Sequence, residues 1–197
     1  MRSRLAALAA LLAVPLLCST QAPAADIEAG RTLAEACGAC HGPAGLSSMP
    51  DVPSLAGQRL RFLEWQLVFF RNGRRENPIM GPLSAGLSDE EVRNLAAYFA
   101  SLPRGPAPAG PPDPALHEAG KAAASRHRCA ACHMEDFGGS QAAPAILHQP
   151  RDYLAKALRD YRSGARPSVG VAAMTEAASA LTDEEITALA VFLEQPG

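Results

Sequence analysis

Apolar residues recur at helical spacing near the end of each half of the chain, at Val92, Leu95, Ala96 and Phe99 and again at Ile186, Leu189, Ala190 and Leu193. Each stripe predicts a helix with one buried face. Just before each stripe, a hydroxyl residue is followed three positions later by glutamate, as Ser88 by Glu91 and Thr182 by Glu185. This spacing is typical of a capping box and predicts where each final helix begins.

Similar stripes predict a second helix upstream in each half, one through Leu63, Leu67 and Phe70 and the other through Leu154, Leu158 and Tyr161. Asp26 is a candidate N-cap for the first helix of the chain. No segment shows the alternation that is typical of a strand. We therefore predict an all-α fold.

The matching stripes belong to a tandem duplication. A displacement of 90–94 residues brings Gly30 onto Gly120 and Gly73 onto Gly164, together with both capping boxes. We predict two helical domains of the same type, over residues 26–102 and 115–197. Residues 103–114 contain six prolines and predict a stiff, extended linker, with a flexible tether as the alternative.

Residues 1–24 predict an export signal that is not part of the fold. Two arginines precede an apolar run over residues 5–17, and small side chains follow near Ala24 and Ala25. The run is shorter than the ~20 residues that a membrane-spanning helix needs. We expect cleavage near Ala24 or Ala25 and a periplasmic location. Lipidation at Cys18 stays open, although Leu17 before it is larger than that processing prefers.

Charge and cysteine content narrow the function further. Without the signal, 16 Lys and Arg face 20 Asp and Glu, and no basic block is present. Nucleic acid is therefore not an expected partner. Once Cys18 is removed, every remaining cysteine lies in one kind of motif, so none is left for a disulfide in an oxidising compartment.

That motif is Cys-x-x-Cys-His, present as residues 37–41 and 129–133. It is typical of c-type haem attachment, because two thiols one helical turn apart can bond one porphyrin while the histidine reaches its iron. We predict two covalently bound haem c groups, held by Cys37, Cys40, Cys129 and Cys132. His41 and His133 are the predicted proximal ligands.

A methionine is the predicted second axial ligand in each half. Met80 and Met174 each lie seven residues before the leucine that precedes the capping box, in what we expect to be a loop. Met/His ligation is one of the axial sets that cytochromes c use. Met49 and Met134 have no counterpart in the other copy and are not expected to bind iron.

Three further histidines are alternative ligands of the second iron but are not expected to bind it: His117, His127 and His148. His148 is expected to be exposed or to face a partner.

Four residues are candidates for supporting roles around the haems. The carbonyls of Pro53 and Pro144 are placed to accept a hydrogen bond from the proximal imidazoles, with a plain turn as the alternative. Arg75 and Arg166 are placed to pair with haem propionates, with a solvated arginine as the alternative. Trp65 has no match in the second copy, where Lys156 takes its place, and is expected to serve packing.

The chain resembles the dihaem cytochrome c4 family over residues 26–196. The resemblance rests on the haem motif, residues 53–58, residues 66–73, Met80 and residues 87–99, in that order. It implies two class I cytochrome c domains related by a pseudo-two-fold axis, with haems near their interface. It also implies His/Met ligation and service as a periplasmic electron carrier toward a terminal oxidase. Met134 and His148 replace Gly42 and Gly57 of the first half, and we expect these changes to crowd the second haem.

The expected partners are redox proteins that dock transiently: a donor complex and a terminal oxidase or reductase. Peripheral association with a membrane remains open. The main alternative is a dihaem subunit of a larger oxidoreductase, such as a flavocytochrome c sulfide dehydrogenase. A dihaem peroxidase would need a displaceable ligand at one iron, which paired methionines disfavour. A zinc protein is disfavoured by export and by the histidine that follows each Cys-x-x-Cys.

Overall fold

The computed structural model describes residues 24–141, 143–168 and 173–195, and every regular element in these ranges is a helix. The predicted all-α class is confirmed. The predicted export signal, with Cys18, lies outside the described residues apart from its last position. Within those ranges, no helix combines the length and the apolar character needed to cross a membrane.

The same order of helices occurs twice. The first half contains α1 (Ile27–Ala34), α2 (Gly38–His41), α3 (Leu60–Arg71), α4 (Met80–Ala85) and α5 (Asp89–Ser101), with a 3₁₀ turn at Pro43–Gly45. The second half contains α6 (Pro114–Arg126), α7 (Ala130–His133), α8 (Arg151–Ser163), α9 (Ala173–Ser179) and α10 (Asp183–Glu194).

Side-chain caps define where the outer helices begin. Asp26 Oδ1 accepts hydrogen bonds from the amides of Glu28 and Ala29 at 2.9 and 3.0 Å and so caps α1. Both predicted capping boxes are present, at Ser88 on α5 and Thr182 on α10. Each cap satisfies amide groups that the first turn of a helix leaves without a partner.

In each half, the first helix crosses the last one at a glycine. A Cβ atom on Gly30 would lie 2.1 Å from the carbonyl oxygen of Asn94, and one on Gly120 would lie 2.1 Å from that of Ala188. No side chain can be accommodated at such a distance, so the two helix pairs approach backbone to backbone. The repeat match between Gly30 and Gly120 therefore reflects one shared packing contact.

Each half has its own hydrophobic core, formed around α5 or α10. All eight residues of the two predicted stripes are buried. Trp65 packs only in part, because 43% of its surface is exposed on α3. Its position on the helix, two residues after the buried Leu63, lies on the face turned away from the core.

Two glutamines join the halves by reciprocal hydrogen bonds. Gln58 bonds the backbone of Ala145, with its Nε2 donating to the carbonyl at 2.9 Å and its Oε1 accepting from the amide at 2.8 Å. Gln149 bonds the backbone of Ser54 in the same way, at 2.9 and 3.0 Å. Gln58 and Gln149 are repeat equivalents, and so are Ser54 and Ala145. This exchange of equivalent contacts is the pattern that a two-fold axis produces.

The segment between the halves also touches both of them. Arg104 Nη2 donates to the carbonyl of Gly57 at 3.2 Å, and Nδ1 of His148 lies 3.0 Å from the carbonyl oxygen of Gly105. His148 is half-buried against the linker, so the expectation that it is exposed or faces a partner is wrong. The φ of His148 is 56°, close to the 65° of its repeat equivalent Gly57, so both residues have a left-handed backbone conformation. The proposed domain boundaries stay a prediction.

Candidate functional site

A one-turn helix presents the thiols and the imidazole of each Cys-x-x-Cys-His motif together. In α2, the amides of Cys40 and His41 donate to the carbonyl of Cys37 at 3.2 and 3.0 Å. In α7, the corresponding distances to the carbonyl of Cys129 are 3.3 and 3.1 Å. Burial raises the pKa of both Cys37 and Cys129. Each motif thus presents two half-buried or accessible side-chain sulfurs one turn apart.

The two imidazoles are buried and their protonation follows from their partners. Nδ1 of His41 lies 2.8 Å from the carbonyl oxygen of Pro53, and Nδ1 of His133 lies 2.8 Å from that of Pro144. Since a carbonyl oxygen only accepts, Nδ1 carries the proton in both rings. Burial lowers the pKa of both histidines, outweighing the opposite effect of the carbonyl. Each ring is therefore neutral, with the lone pair on Nε2.

These residues fit haem c. In both halves, two thiols, a neutral imidazole with a lone pair on Nε2 and a carbonyl that orients the ring come from one short segment and one loop. The carbonyl contact is the kind of outer hydrogen bond that fixes the tautomer and raises the basicity of a metal-ligating histidine. Within the described ranges, no group of three His, Cys, Asp or Glu side chains is arranged to bind a metal ion by itself.

The structure places Met80 and Met174 on short helices, so the expectation of loop methionines is wrong. Met80 is the first residue of α4 and Met174 is the second residue of α9, and both side chains are half-buried. Each short helix ends a few residues before the capping box of α5 or α10. A helix start holds a side chain in a more defined direction than an irregular loop does.

Two polar residues that anchor these short helices were missed by sequence reasoning. Asn77 Oδ1 accepts from the amides of Ile79 and Met80 at 2.9 and 2.8 Å. In the second half, Ser168 Oγ accepts from the amide of Thr175 at 2.9 Å, next to Met174. An Asn or Ser shortly before a helix is a recognisable cap, but the short apolar stretches gave no reason to expect a helix.

The remaining histidines have other partners. Nε2 of His117 lies 2.9 Å from the carbonyl oxygen of Gln195, and Nε2 of His127 lies 3.1 Å from Oε1 of Glu185. Met134 takes the place of Gly42 with a φ of 67° against 78°, and 49% of its surface is exposed. The expectation that Met134 crowds the second haem stays a prediction.

Arg75 and Arg166 converge on one side chain between the halves. Arg75 Nη1 donates to Oε1 of Gln66 at 2.5 Å, and Arg166 Nη2 donates to the same oxygen at 3.1 Å. Arg166 Nη1 also lies 3.3 Å from the hydroxyl of Tyr153. Each guanidinium stacks 4.5 Å from an aromatic ring of its own half, Phe70 or Tyr161. The reading of a solvated arginine is wrong for Arg166, which is only 6% exposed.

This pair carries positive charge without a paired carboxylate. Neither arginine forms a salt bridge with any described residue, and the undescribed segments contain no Asp or Glu side chain. Burial lowers the pKa of Arg75, and the charge of Arg166 lowers it further. Although burial raises the pKa of Tyr153, the two guanidiniums outweigh it and lower that pKa to about 8. Two adjacent guanidinium groups that are largely removed from water are stabilised by a nearby anion.

Comparison with known proteins agrees with this geometry. Residues 117–196 match the family model described as cytochrome c, and residues 25–99 match that of cytochrome c oxidase, cbb3-type, subunit III. Cytochrome c4 of Pseudomonas aeruginosa is 35% identical over 178 residues, covering 87% of this chain and 89% of the relative. The chain belongs to the cytochrome c4 family. It carries two covalently bound haem c groups, one in each cytochrome c domain.

Two further comparisons concern a solved cytochrome c4 structure and a relative with a different name. The crystal structure of reduced recombinant cytochrome c4 from Pseudomonas stutzeri superposes with a TM-score of 0.79 at 33% identity, covering 87% of this chain and 98% of that one. The thiosulfate dehydrogenase electron acceptor of Stutzerimonas stutzeri is 33% identical over 197 residues, covering 92% of this chain and 91% of the relative. The predicted tandem arrangement of two cytochrome c domains is confirmed.

Proposed function

We propose that the chain is a periplasmic electron carrier whose two irons are each ligated by one histidine and one methionine. Cys37 and Cys40 would attach the first haem and Cys129 and Cys132 the second. His41 with Met80, and His133 with Met174, would supply the axial ligands. The observation that carries this proposal is the neutral, Nδ1-protonated imidazole in each half, which keeps the Nε2 lone pair for a metal.

The bound haem supplies reversible one-electron chemistry at its iron. The protein side chains hold that iron and tune it. A thioether ligand raises the reduction potential relative to other axial sets, and two protein ligands fill both axial positions. Because no position stays open for a substrate, we propose that the chain carries electrons and catalyses no reaction of its own.

The hydrogen bonds from Nδ1 of His41 and His133 support the proposal that the carbonyls of Pro53 and Pro144 orient the proximal imidazoles. The uncompensated charge of Arg75 and Arg166 supports pairing with the haem propionates, which are carboxylates. Two propionates per haem would offset the cationic pair more fully than any described side chain does.

Optical and EPR spectra of the oxidised, haem-loaded protein test the ligand set. We expect two low-spin haems, each with a sulfur-to-iron charge-transfer band, and a haem content of two per chain. A high-spin signal from one haem would instead identify an open iron and favour a peroxidase. Loading with fewer than two haems would contradict the proposal as a whole.

For the partners, we propose delivery of electrons to a terminal oxidase through a transient complex. Such electron-transfer encounters use small interfaces. The likeness to a thiosulfate dehydrogenase electron acceptor favours a second candidate, in which the electrons come from a sulfur-oxidising dehydrogenase. A stable subunit of such an enzyme, as in a flavocytochrome c, is the tighter version of that candidate.

Stopped-flow reduction and oxidation distinguish these roles. The reduced protein is mixed with membranes that contain terminal oxidase, and the oxidised protein with purified thiosulfate dehydrogenase and thiosulfate. Fast oxidation of the reduced protein by the membranes supports the carrier role. Fast reduction of the oxidised protein by the dehydrogenase identifies that enzyme as its electron donor. Co-purification of a flavoprotein with the chain at a fixed ratio would replace the free carrier by the subunit.

A further inference from the structure

Each proximal histidine is connected to the opposite half of the molecule through a single peptide unit. The carbonyl of Pro53 lies 2.8 Å from Nδ1 of His41, and the amide of the same peptide, on Ser54, donates to Oε1 of Gln149 at 3.0 Å. Gln149 comes from the second half. The proximal imidazole of the first half and a glutamine of the second half therefore bond the two ends of one peptide group.

The second half repeats this connection with the roles exchanged. The carbonyl of Pro144 lies 2.8 Å from Nδ1 of His133, and the amide of the same peptide, on Ala145, donates to Oε1 of Gln58 at 2.8 Å. Both glutamines are only 6% exposed, so water does not compete for these bonds. Each Nε2 also donates to the carbonyl that follows, which holds the amide group in one orientation.

Hydrogen bonds at the two ends of a peptide strengthen each other. An acceptor at the N–H polarises the group, so that its carbonyl oxygen becomes more negative and accepts more strongly. A stronger acceptor at Nδ1–H makes the imidazole more basic toward its metal. A more basic ligand stabilises ferric iron over ferrous iron and so lowers the reduction potential.

We propose that Gln58 and Gln149 are positioning residues that tune the haem of the opposite half, so that each domain sets the potential of its neighbour through the proximal peptide. This proposal rests on His41 and His133 as proximal ligands in the proposed function. It goes beyond that function because it assigns a residue outside each haem-binding domain to the control of its iron.

The variants Gln149→Met and Gln58→Met test the crossed pattern, since methionine keeps the length of the side chain and removes the acceptor. In Gln149→Met we expect the midpoint potential of the haem bound by Cys37 and Cys40 to rise while the other stays. In Gln58→Met we expect the reverse. Potentials are followed by redox titration with the haem methyl NMR signals of each half as the readout.

Gln195→Met is the matched control. Gln195 is also a glutamine with a hydrogen-bonded amide, but its Nε2 donates to the linker carbonyls of Pro108 and Gly110 at 2.6 and 3.1 Å. It touches neither proximal peptide, and we expect both potentials to stay at their wild-type values.

A second readout separates this tuning from a loosened interface. In the reduced protein, the Nδ1–H proton of His41 should move upfield in Gln149→Met, while that of His133 should keep its position. A shift confined to the haem of the mutated half, an equal shift of both haems, or unchanged potentials would each overturn the proposal. Haem content and the sulfur-to-iron band are measured on the same samples, and their loss would speak against the proposed ligands instead.

Discussion

His41 and His133, the proposed proximal ligands, each use Nδ1 for a hydrogen bond within the fold and leave the lone pair on Nε2. The carbonyl oxygens of Pro53 and Pro144 accept a hydrogen bond from Nδ1 at 2.8 Å, and burial keeps both rings neutral by lowering the pKa. The same geometry in both copies shows that a loop twelve or eleven residues downstream is part of each histidine site. The hydrogen bond at Nδ1 therefore supports the proposed ligand role of each histidine as much as its motif does.

Replacing Met80 by histidine tests the distal ligand. We expect about half of the sulfur-to-iron charge-transfer band to disappear and the potential of one haem to fall, because the thioether raises the potential relative to other axial ligands. Spectra and a redox titration of the oxidised protein measure both effects. Met49→His is the control, since Met49 is 43% exposed and unmatched in the repeat. An unchanged band in Met80→His would remove Met80 as a ligand.

The helices owe their positions to two features that recur in both copies, a capped start and a glycine crossing. Gly30 and Gly120 let the first and last helices of each half approach until a Cβ atom would lie 2.1 Å from a carbonyl oxygen. The capping boxes then define where the last helices begin. Both features place α5 and α10 against the segments that bear the cysteine motifs.

The substitution Gly120→Ala should destabilise the second half. A methyl group facing the carbonyl of Ala188 forces the helices apart, and overpacking of this kind costs about 1–3 kcal/mol. Chemical denaturation of the haem-loaded protein measures the change in the free energy of unfolding. Gly86→Ala serves as the control, because nothing lies within 4 Å of its added Cβ and its φ is −89°. Equal stability of Gly120→Ala and wild type would contradict the close crossing.

The capping box of α10 predicts a dependence of stability on pH. The hydrogen bond from the Thr182 amide, with a further one from His127, lowers the pKa of Glu185. A carboxyl with a depressed pKa in the folded state stabilises above its unfolded pKa, and this contribution is lost as the pH falls through the folded value. On acidification, the midpoint temperature of thermal unfolding should therefore fall less for Glu185→Gln than for wild type. Glu184→Gln, outside the capping box, should follow wild type, and a parallel decline in all three proteins would refute the link.

Over the whole molecule, the interface between the two domains contains neutral glutamine hydrogen bonds and a pair of positively charged arginines. Gln58 and Gln149 exchange equivalent bonds, whereas Arg75 and Arg166 meet at Gln66 without a carboxylate. Gln66 and Tyr153 have no polar counterpart in the repeat, since Ala157 and Phe62 occupy those positions. The approximate two-fold symmetry thus ends where the charges are concentrated.

Removing one charge from this interface should lower the reduction potentials. Positive charge destabilises ferric iron more than ferrous iron. Arg166→Gln removes one positive charge, so oxidation of the iron becomes easier. Redox titration at fixed ionic strength measures the shift. Arg162→Gln is the matched control four residues earlier in the chain, because Arg162 is already paired with Asp183 at 2.6 Å near the surface. A larger shift in Arg162→Gln than in Arg166→Gln would argue against the buried pair as an electrostatic determinant.

The amino-acid sequence alone determined the helical class, the duplication, the capped helix starts and the haem motifs. These are properties of neighbours along the chain, and periodicity or short spacing records them. The repeat also singled out Met80 and Met174 by register, but it left them in loops because short anchored helices such as α4 and α9 lack a long apolar stripe.

Only the tertiary structure decided what meets across the interface. Gln58 and Ala145 are 87 residues apart, and Gln149 and Ser54 are 95 residues apart. Neither contact leaves a local pattern in the sequence. The exposure of Trp65, the half-buried position of His148 and the convergence of Arg75 with Arg166 have the same origin. Each depends on which surfaces of two folded domains face one another, and that is a property of packing between distant segments.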